Sequence, residues 1–140
     1  MIASVTKPLS GWGNYPVEEC RAYRPEKERE QKACLDTEEA GLIARGLGRA
    51  YGDAALNAGA AVVLQERLNR FLDFDAATAT LHCEGGATFA EILDVFLPRG
   101  YFLLVTPGTK FVTVGGAIAC DVHGKNHHRD GNISHFVERI

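Results

Sequence analysis

The sequence predicts an α+β fold, a small mixed sheet with helices on one side, from three observations. Short apolar runs at residues 42–44 and 60–64 beside glycine-rich connections are typical of buried strands. Residues 71–83 contain two further strand-like runs, joined by a turn. Residues 88–100 combine a helical apolar repeat with start and stop signals. Short strands followed by helices are the pattern expected of this fold class.

The first forty residues predict an irregular segment followed by a helix. Residues 9–15 place Trp12 between two glycines, and we expect no regular structure there. Residues 25–40 are rich in Glu, Lys, Gln and Ala, which favour helix, and Gly41 suits the C-terminal end. The apolar face of this helix is thin, so we expect it to lie on the surface.

The helix at residues 88–100 has the strongest local signals. Thr88 followed three residues later by Glu91 is a capping-box pattern. Pro98 and Gly100 end the helix. One face carries the apolar residues Phe89, Ile92, Leu93 and Phe96.

The last forty residues predict a short apolar strand at 102–105 and a short helix at 113–120. Gly115 and Gly116 in that helix allow another group to approach the backbone closely. Residues 135–140 resemble the start of a further element. We therefore expect the chain to be part of a longer polypeptide, with residues 1–140 forming one incomplete domain.

Composition narrows the possible classes of protein. A chain of 140 residues fits one domain, and 46% hydrophobic residues are enough for a core. A net charge of −3 is not the basic balance of a nucleic-acid binder. The sequence has neither an apolar run of about 20 residues nor a secretory signal pattern. The four cysteines form no CxxC pair, so we expect reduced thiols and a cytoplasmic location.

The loop at residues 44–53, ARGLGRAYGD, follows a predicted strand. Amides in a glycine-rich loop form a concave surface that suits phosphate oxygens, and Arg45 or Arg49 would add charge-assisted hydrogen bonds. The G-x-G-x-x-x-G spacing differs by one residue from the dinucleotide fingerprint, and the expected downstream acidic residue is missing. A plain turn remains the alternative interpretation.

Residues 123–128, HGKNHH, follow the glycine pair and allow three interpretations. A metal site would use the three histidines, although Gly124 weakens a helix there and no HExxH pattern is present. A structural loop with histidines bonded to backbone is the second. The third is a pocket lined by His123 and Lys125 beside the small-residue platform. Cys120 is better explained as an inert small hydrophobe than as a nucleophile.

Five strings, LSGWG, ARGLGRAYGD, PGT, TVGGAIACD and HGKNHH, occur in this order between Leu9 and His128. Together they resemble the PCMH-type FAD-binding domain of the vanillyl-alcohol oxidase superfamily. The branch they resemble most is that of the oxidase subunits of decaprenylphosphoryl-β-D-ribose 2′-epimerases. The resemblance implies the N-terminal portion of that domain, in two sub-parts around the FAD, with the substrate domain absent.

The resemblance also implies which residues bind FAD. In the first loop, which would wrap the pyrophosphate, they are Ala44, Arg45, Gly46, Leu47, Gly48, Arg49, Ala50, Tyr51, Gly52, Asp53 and Ala54. In the later segments, which would line the flavin and its ribityl chain, they are Gly108, Thr113, Val114, Gly115, Gly116, Cys120, Asp121, Val122 and His123. Covalent-flavin relatives carry His where this chain has Arg49, so FAD is expected to be held non-covalently, and no metal is implied.

The implied activity is oxidation of a sugar or alcohol hydroxyl by hydride transfer to flavin N5. Tyr51, His123 and Lys125 would face the substrate, with orienting and electrostatic roles for His123 and Lys125 and no general base assigned. In the epimerase branch the substrate is a lipid-linked ribose, which would place a full-length enzyme near a membrane. A separate NADH-dependent reductase then reduces the ketone.

Two alternatives stay open. One is an alditol- or aldonolactone-oxidase type of FAD enzyme within the same superfamily. The other is a non-catalytic FAD-binding fragment that self-associates to bury an orphaned core face.

Overall fold

The computed structural model describes residues 2–37 and 41–140, and its elements fall into two units. The first unit comprises residues 1–68 and the second residues 69–140. Each combines strands with helices, which confirms the predicted α+β class. Among the helices described, none has both the length and the hydrophobicity that crossing a membrane requires.

The first unit is built on a mixed four-stranded sheet. In chain order its strands are β1 (Ser4–Ser10), β2 (Val17–Tyr23), β3 (Leu42–Arg45) and β4 (Ala61–Leu64). Their spatial order is β1-β2-β4-β3, with β1 antiparallel to β2 and the other two pairs parallel. All four residues of β4 are buried, which explains its unbroken apolar sequence. The two strands predicted in this unit are therefore confirmed, although β3 is only half-buried.

The N-terminal strands correct the prediction for this region. Residues 11–15 are irregular, as the sequence predicts for 9–15, but Leu9 and Ser10 belong to β1, where Leu9 is buried. Residues 4–8 of β1 are exposed at the edge of the sheet and therefore show no alternating apolar pattern. In β2, burial is concentrated at Cys20, Ala22 and Tyr23, behind a charged start. The sequence alone therefore gave no strand signal for either segment.

The predicted surface helix is confirmed as α1, Glu28–Thr37. It begins three residues after the start of the predicted range 25–40, and the predicted end, residues 38–40, lies outside the described residues. Cys34 is fully buried and packs with residues of the sheet, so the apolar face is as thin as expected. Gly41 has φ +85°, the left-handed conformation typical of a residue after a helix.

The second unit contains a hairpin, three α-helices and two 3₁₀ turns. The elements are β5 (Phe71–Asp75), β6 (Thr80–Cys83), α2 (Phe89–Phe96), α3 (Val114–Ala119) and α4 (His127–Asp130), with the 3₁₀ turns at Leu97–Arg99 and Ile133–Phe136. The antiparallel hairpin and both predicted helices are confirmed. The buried face of α2 packs on the hairpin, where the rings of Phe74 and Phe96 lie 4.6 Å apart.

The predicted strand at residues 102–105 is wrong. The segment pairs with no strand in the described part of the chain. Phe102 is 63% exposed and Leu104 is 64% exposed, while Val105 is buried. The continuous apolar run at 102–105 predicts a short strand, whereas the segment is a loop that presents apolar side chains to an open groove.

The start of α2 carries a complete capping box. The Thr88 hydroxyl accepts a hydrogen bond from the Glu91 amide at 3.1 Å, and the Glu91 carboxylate accepts one from the Thr88 amide at 2.8 Å. Asn69 donates a further bond to Glu91 at 2.8 Å. Burial acts to raise the pKa of Glu91, but these hydrogen bonds outweigh it and hold the pKa below its ordinary value.

Replacing Thr88 by Ala should destabilise the second unit by about 1 kcal/mol at neutral pH, because α2 loses its N-cap. The ionised Glu91 carboxylate contributes to the free energy of unfolding. This contribution is fully present above the unfolded-state pKa of about 4.3 and is lost as the pH falls through the lower folded-state pKa. The Thr88→Ala deficit should therefore shrink at acidic pH. Denaturant unfolding at both pH values measures it, with the exposed Thr106→Ala as control. Equal deficits in the two variants would contradict the capping assignment.

Candidate functional site

Arg45 shapes the glycine loop of the first unit, residues 44–54. Its Nη1 donates to the carbonyl of Ala55 at 3.0 Å, and its Nη2 donates to the carbonyl of Ser10 at 2.6 Å. Burial lowers the pKa of Arg45, but a guanidinium stays protonated in proteins. Arg45 therefore ties the end of β3 to the end of β1 and to the far side of the loop.

Gly48 leaves room for that guanidinium. Its φ is +67°, and a Cβ at this position would overlap Arg45 Nη2 and lie 2.9 Å from Cζ. Gly11 plays a similar part from the LSGWG string, since a Cβ there would lie 2.7 Å from the Ala50 carbonyl. The neighbouring Trp12 amide donates to the same carbonyl at 2.9 Å. Gly11 is therefore explained by close backbone packing, and Gly48 by the space that the Arg45 guanidinium occupies.

Three successive backbone amides of the glycine loop have no hydrogen-bond acceptor among the described residues. They are the amides of Gly46, Leu47 and Gly48. A left-handed residue such as Gly48 lets successive amides converge on one anion. Residues 51–54 are exposed, and Gly52 has open space beside it. The loop therefore keeps backbone donors of the kind that phosphate oxygens accept from. Arg45 adds positive charge while its side chain stays bonded to the protein.

The glycine pair of α3 meets another part of the second unit. The Gly115 amide donates to the Gly85 carbonyl at 2.7 Å, and a Cβ on Gly115 would lie 3.0 Å from that oxygen. A Cβ on Gly116 would lie 2.9 Å from the hydroxyl of Thr113, which caps the helix. The predicted close approach is confirmed for Gly115, but the group that approaches is the chain's own backbone. Contact with a flavin stays a prediction.

A groove of about 1320 Å³ in the second unit brings three predicted site residues together. Gly108, His123 and Lys125 all line it. Other lining residues are Phe102, Leu104, Asn126, His127, Asp130 and Phe136. This apolar side is not predicted from the sequence, because the run at 102–105 predicts a strand there.

Gly124 lies where the two walls of this groove meet. A Cβ there would lie 3.1 Å from the Thr106 carbonyl and 2.6 Å from the Asn126 side-chain oxygen. Asn126 Nδ2 donates to the Leu104 carbonyl at 3.2 Å. The HGKNHH string is therefore held against the loop that precedes it in sequence, and Gly124 is needed for that contact.

Two histidines share the Gly124 carbonyl. Nδ1 of His123 lies 3.3 Å from this oxygen and Nδ1 of His127 lies 3.0 Å from it, with the rings 4.6 Å apart. A carbonyl oxygen only accepts, so each neutral imidazole carries its proton on Nδ1 and leaves Nε2 as an acceptor. Within the described ranges, no three His, Cys, Asp or Glu side chains are grouped to hold a metal ion.

The other predicted site residues have separate surroundings. Tyr51 is 78% exposed in the first unit. Cys120 is the C-cap of α3 and is exposed, so its thiol lies at the surface of the second unit, and its interpretation as an inert residue stays a prediction. Val122 is half-buried, and its amide donates to the Ala117 carbonyl at 3.0 Å. The Asp121 carboxylate is bonded within the second unit.

Gly48→Ala should destabilise the first unit by about 1–3 kcal/mol, because the left-handed φ is strained and the guanidinium must leave its carbonyls. Gly59→Ala is the matched control. Gly59 also has φ +67°, but nothing lies within 4 Å of its Cβ position. Denaturant unfolding of both variants isolates the Arg45 contact. Equal losses would mean that the guanidinium imposes no requirement on Gly48.

A curated relative is similar over almost the whole chain. The decaprenylphosphoryl-beta-D-ribose oxidase of Mycolicibacterium smegmatis is 40% identical over 141 residues, which is 98% of this chain and 31% of that protein. The chain therefore spans about a third of the length of this relative.

Solved structures share the fold. Cholesterol oxidase from B. sterolicum superposes with a TM-score of 0.73 at 17% identity, over 88% of this chain and 25% of that one. An alkyldihydroxyacetonephosphate synthase gives 0.71 at 19% identity, over 85% of this chain and 23% of that one. A family profile described as an FAD binding domain matches residues 22–140. The chain thus belongs to the FAD binding domain family.

Proposed function

We propose that this chain supplies part of the FAD site of an oxidoreductase that oxidises a sugar or alcohol hydroxyl. The observation that carries the proposal is the loop at residues 44–54, whose amides at 46–48 have no acceptor among the described residues. These amides would bind the pyrophosphate oxygens, and the charge of Arg45 would favour the anion. The proposed binding set in this loop is the one implied by the sequence, Ala44 to Ala54.

Residues of the second unit are proposed to hold the flavin end. Gly108 and residues 120–123 would contact it, together with residues 113–116, of which Thr113 is buried and Gly116 is exposed. When bound, FAD supplies N5 as the hydride acceptor. The non-covalent attachment rests on Arg49, whose guanidinium lies 5.1 Å from the Trp12 ring and offers no nucleophile to the flavin.

His123 and Lys125 are proposed to act on the substrate hydroxyl. With Nδ1 directed at the Gly124 carbonyl, Nε2 of His123 accepts a hydrogen bond from the hydroxyl and orients it. The Lys125 ammonium would donate a hydrogen bond to the same oxygen and stabilise negative charge that develops on it in the transition state. Tyr51 is proposed as a further substrate-facing residue.

The proposed substrate class is a sugar, by similarity to the oxidase named above. A lipid-linked sugar is the finer proposal, supported by the exposed apolar side chains of Phe102, Leu104 and Phe136 in the groove. The proposed partner is a separate NADH-dependent reductase, which would reduce the ketone. The proposed location is the cytoplasm, near a membrane that holds the lipid-linked substrate.

The binding half of the proposal is tested by adding FAD to the purified chain, followed by gel filtration with absorbance and light-scattering detection. We expect flavin bands to co-elute with the protein and acid precipitation to release the flavin into the supernatant. Flavin that stays in the pellet would contradict non-covalent binding. A colourless protein peak at saturating FAD would contradict FAD binding by this chain.

Gly108→Val tests whether the groove holds part of the cofactor. A Cβ at Gly108 meets nothing within 4 Å, so the fold should tolerate the change with a loss of less than about 0.5 kcal/mol. The added methyl groups would occupy space needed by FAD and should weaken its binding about tenfold, or about 1.4 kcal/mol. Unfolding curves and flavin fluorescence titration measure the two effects. Unchanged FAD affinity would place the cofactor elsewhere.

A further inference from the structure

One antiparallel bridge pairs residues 121–123 with residues 132–134 in the second unit. His123 and Asn132 face each other in this isolated bridge. The Ile133 amide, at the start of the second 3₁₀ turn, donates to the Val122 carbonyl at 3.0 Å. The chain between the two paired segments, residues 124–131, carries Lys125 and the other polar residues of the groove wall. The pair therefore holds both ends of the segment that lines the groove.

Asp121 fastens this pair through its side chain. Its Oδ2 accepts a hydrogen bond from Asn132 Nδ2 at 3.1 Å, and its Oδ1 accepts one from the Ser134 amide at 3.1 Å. Hydrogen bonds from Asn132 and Ser134 hold the pKa of the carboxyl below its ordinary value, so it is ionised at neutral pH. Both oxygens are thus bonded within the unit.

The backbone of Asp121 is also specialised. Its φ of +42° lies in the left-handed region, which Asp and Asn tolerate better than other non-glycine residues. The residue follows directly on α3, and its amide donates to the Ile118 carbonyl at 3.0 Å. This sharp change of direction sends the next residues toward the groove, where His123 lies.

We infer that Asp121 is a positioning residue: its carboxylate clasps residues 132–134 to residues 121–123 and thereby fixes His123 and Lys125 at the groove. The inference rests on the proposed function for the role of these two side chains. The clasp is defined here as Asp121, Asn132 and Ser134, joined by the two hydrogen bonds of the Asp121 carboxylate.

A side-chain exchange tests the clasp. Asp121→Gly keeps the left-handed φ and removes both acceptor oxygens. Asn132→Asp places two carboxylates opposite each other. The double variant, Asp121→Asn with Asn132→Asp, restores one donor and one acceptor with the order reversed, and the side-chain amide oxygen at position 121 still accepts from the Ser134 amide. Asp75→Asn is the matched control, because Asp75 also accepts two hydrogen bonds, from the Ala77 amide and the Thr78 hydroxyl at 2.8 Å each, but within the hairpin turn.

The first readouts need no cofactor. They are amide hydrogen exchange at Ile133 and the imidazole NMR signals of His123. Each single variant should speed Ile133 exchange about tenfold and shift the His123 signals, since a hydrogen bond to a charged group is lost. The double variant should restore both, and the control should change neither. Unchanged exchange and signals in the single variants, or a double variant no better than the singles, would overturn the inference.

FAD affinity is measured on the same proteins. Single variants should bind FAD several-fold more weakly, and the double variant should regain affinity. If the unmodified chain binds no FAD while exchange and His123 signals follow the expected pattern, the clasp stands and the proposed FAD function fails. If FAD affinity is the same in all variants although the clasp has opened, Asp121 does not position the site.

Discussion

The half-buried guanidinium of Arg45 is the interaction on which the proposed phosphate loop depends. A cation removed from water needs hydrogen-bond acceptors, and the carbonyls of Ser10 and Ala55 provide them. These hydrogen bonds of the Arg45 guanidinium fix the ends of β1 and β3 relative to the loop. They also require glycine at position 48, because a Cβ there would overlap the guanidinium. The loop is then held in a shape that leaves the amides of residues 46–48 without acceptors among the described residues. Backbone donors held in place in this way bind an anion without the cost of ordering a flexible loop.

In the second unit, backbone segments are likewise held in place by a charged side chain, the Asp121 carboxylate, and by close contacts at glycines. Close backbone contacts, Gly115 on Gly85 and Gly124 on Thr106, bring separate segments together where no side chain would fit. Asp121 then fastens the segment that follows α3. In both units, therefore, the strings that resemble a cofactor-binding family consist largely of residues that shape the backbone. The groups that would meet a ligand directly are fewer: loop amides, Gly108, His123 and Lys125.

The predictions from sequence succeeded where a local pattern coincided with burial. The strand β4, the hairpin and the capped helix α2 each had such a pattern, and each is present. Edge strand β1 and the charged start of β2 were missed because exposed residues carry no hydrophobic period. The strand predicted at residues 102–105 is wrong for the opposite reason: the segment has an apolar sequence, but its side chains line a groove instead of a core. The family strings located the candidate site, but the partners of Arg45 and Asp121 are set by tertiary contacts that one sequence does not reveal.

The most direct test of this account is a two-dimensional amide NMR spectrum of the isotope-labelled chain, recorded with increasing FAD. The account predicts that the amides of Gly46, Leu47 and Gly48 shift most in the first unit, and Gly108 and His123 most in the second. The amides of Gly115 and Asp121, which are bonded to the chain's own carbonyls, should shift less. A spectrum without changes at these five positions, or with shifts confined to surfaces away from both loops, would contradict it.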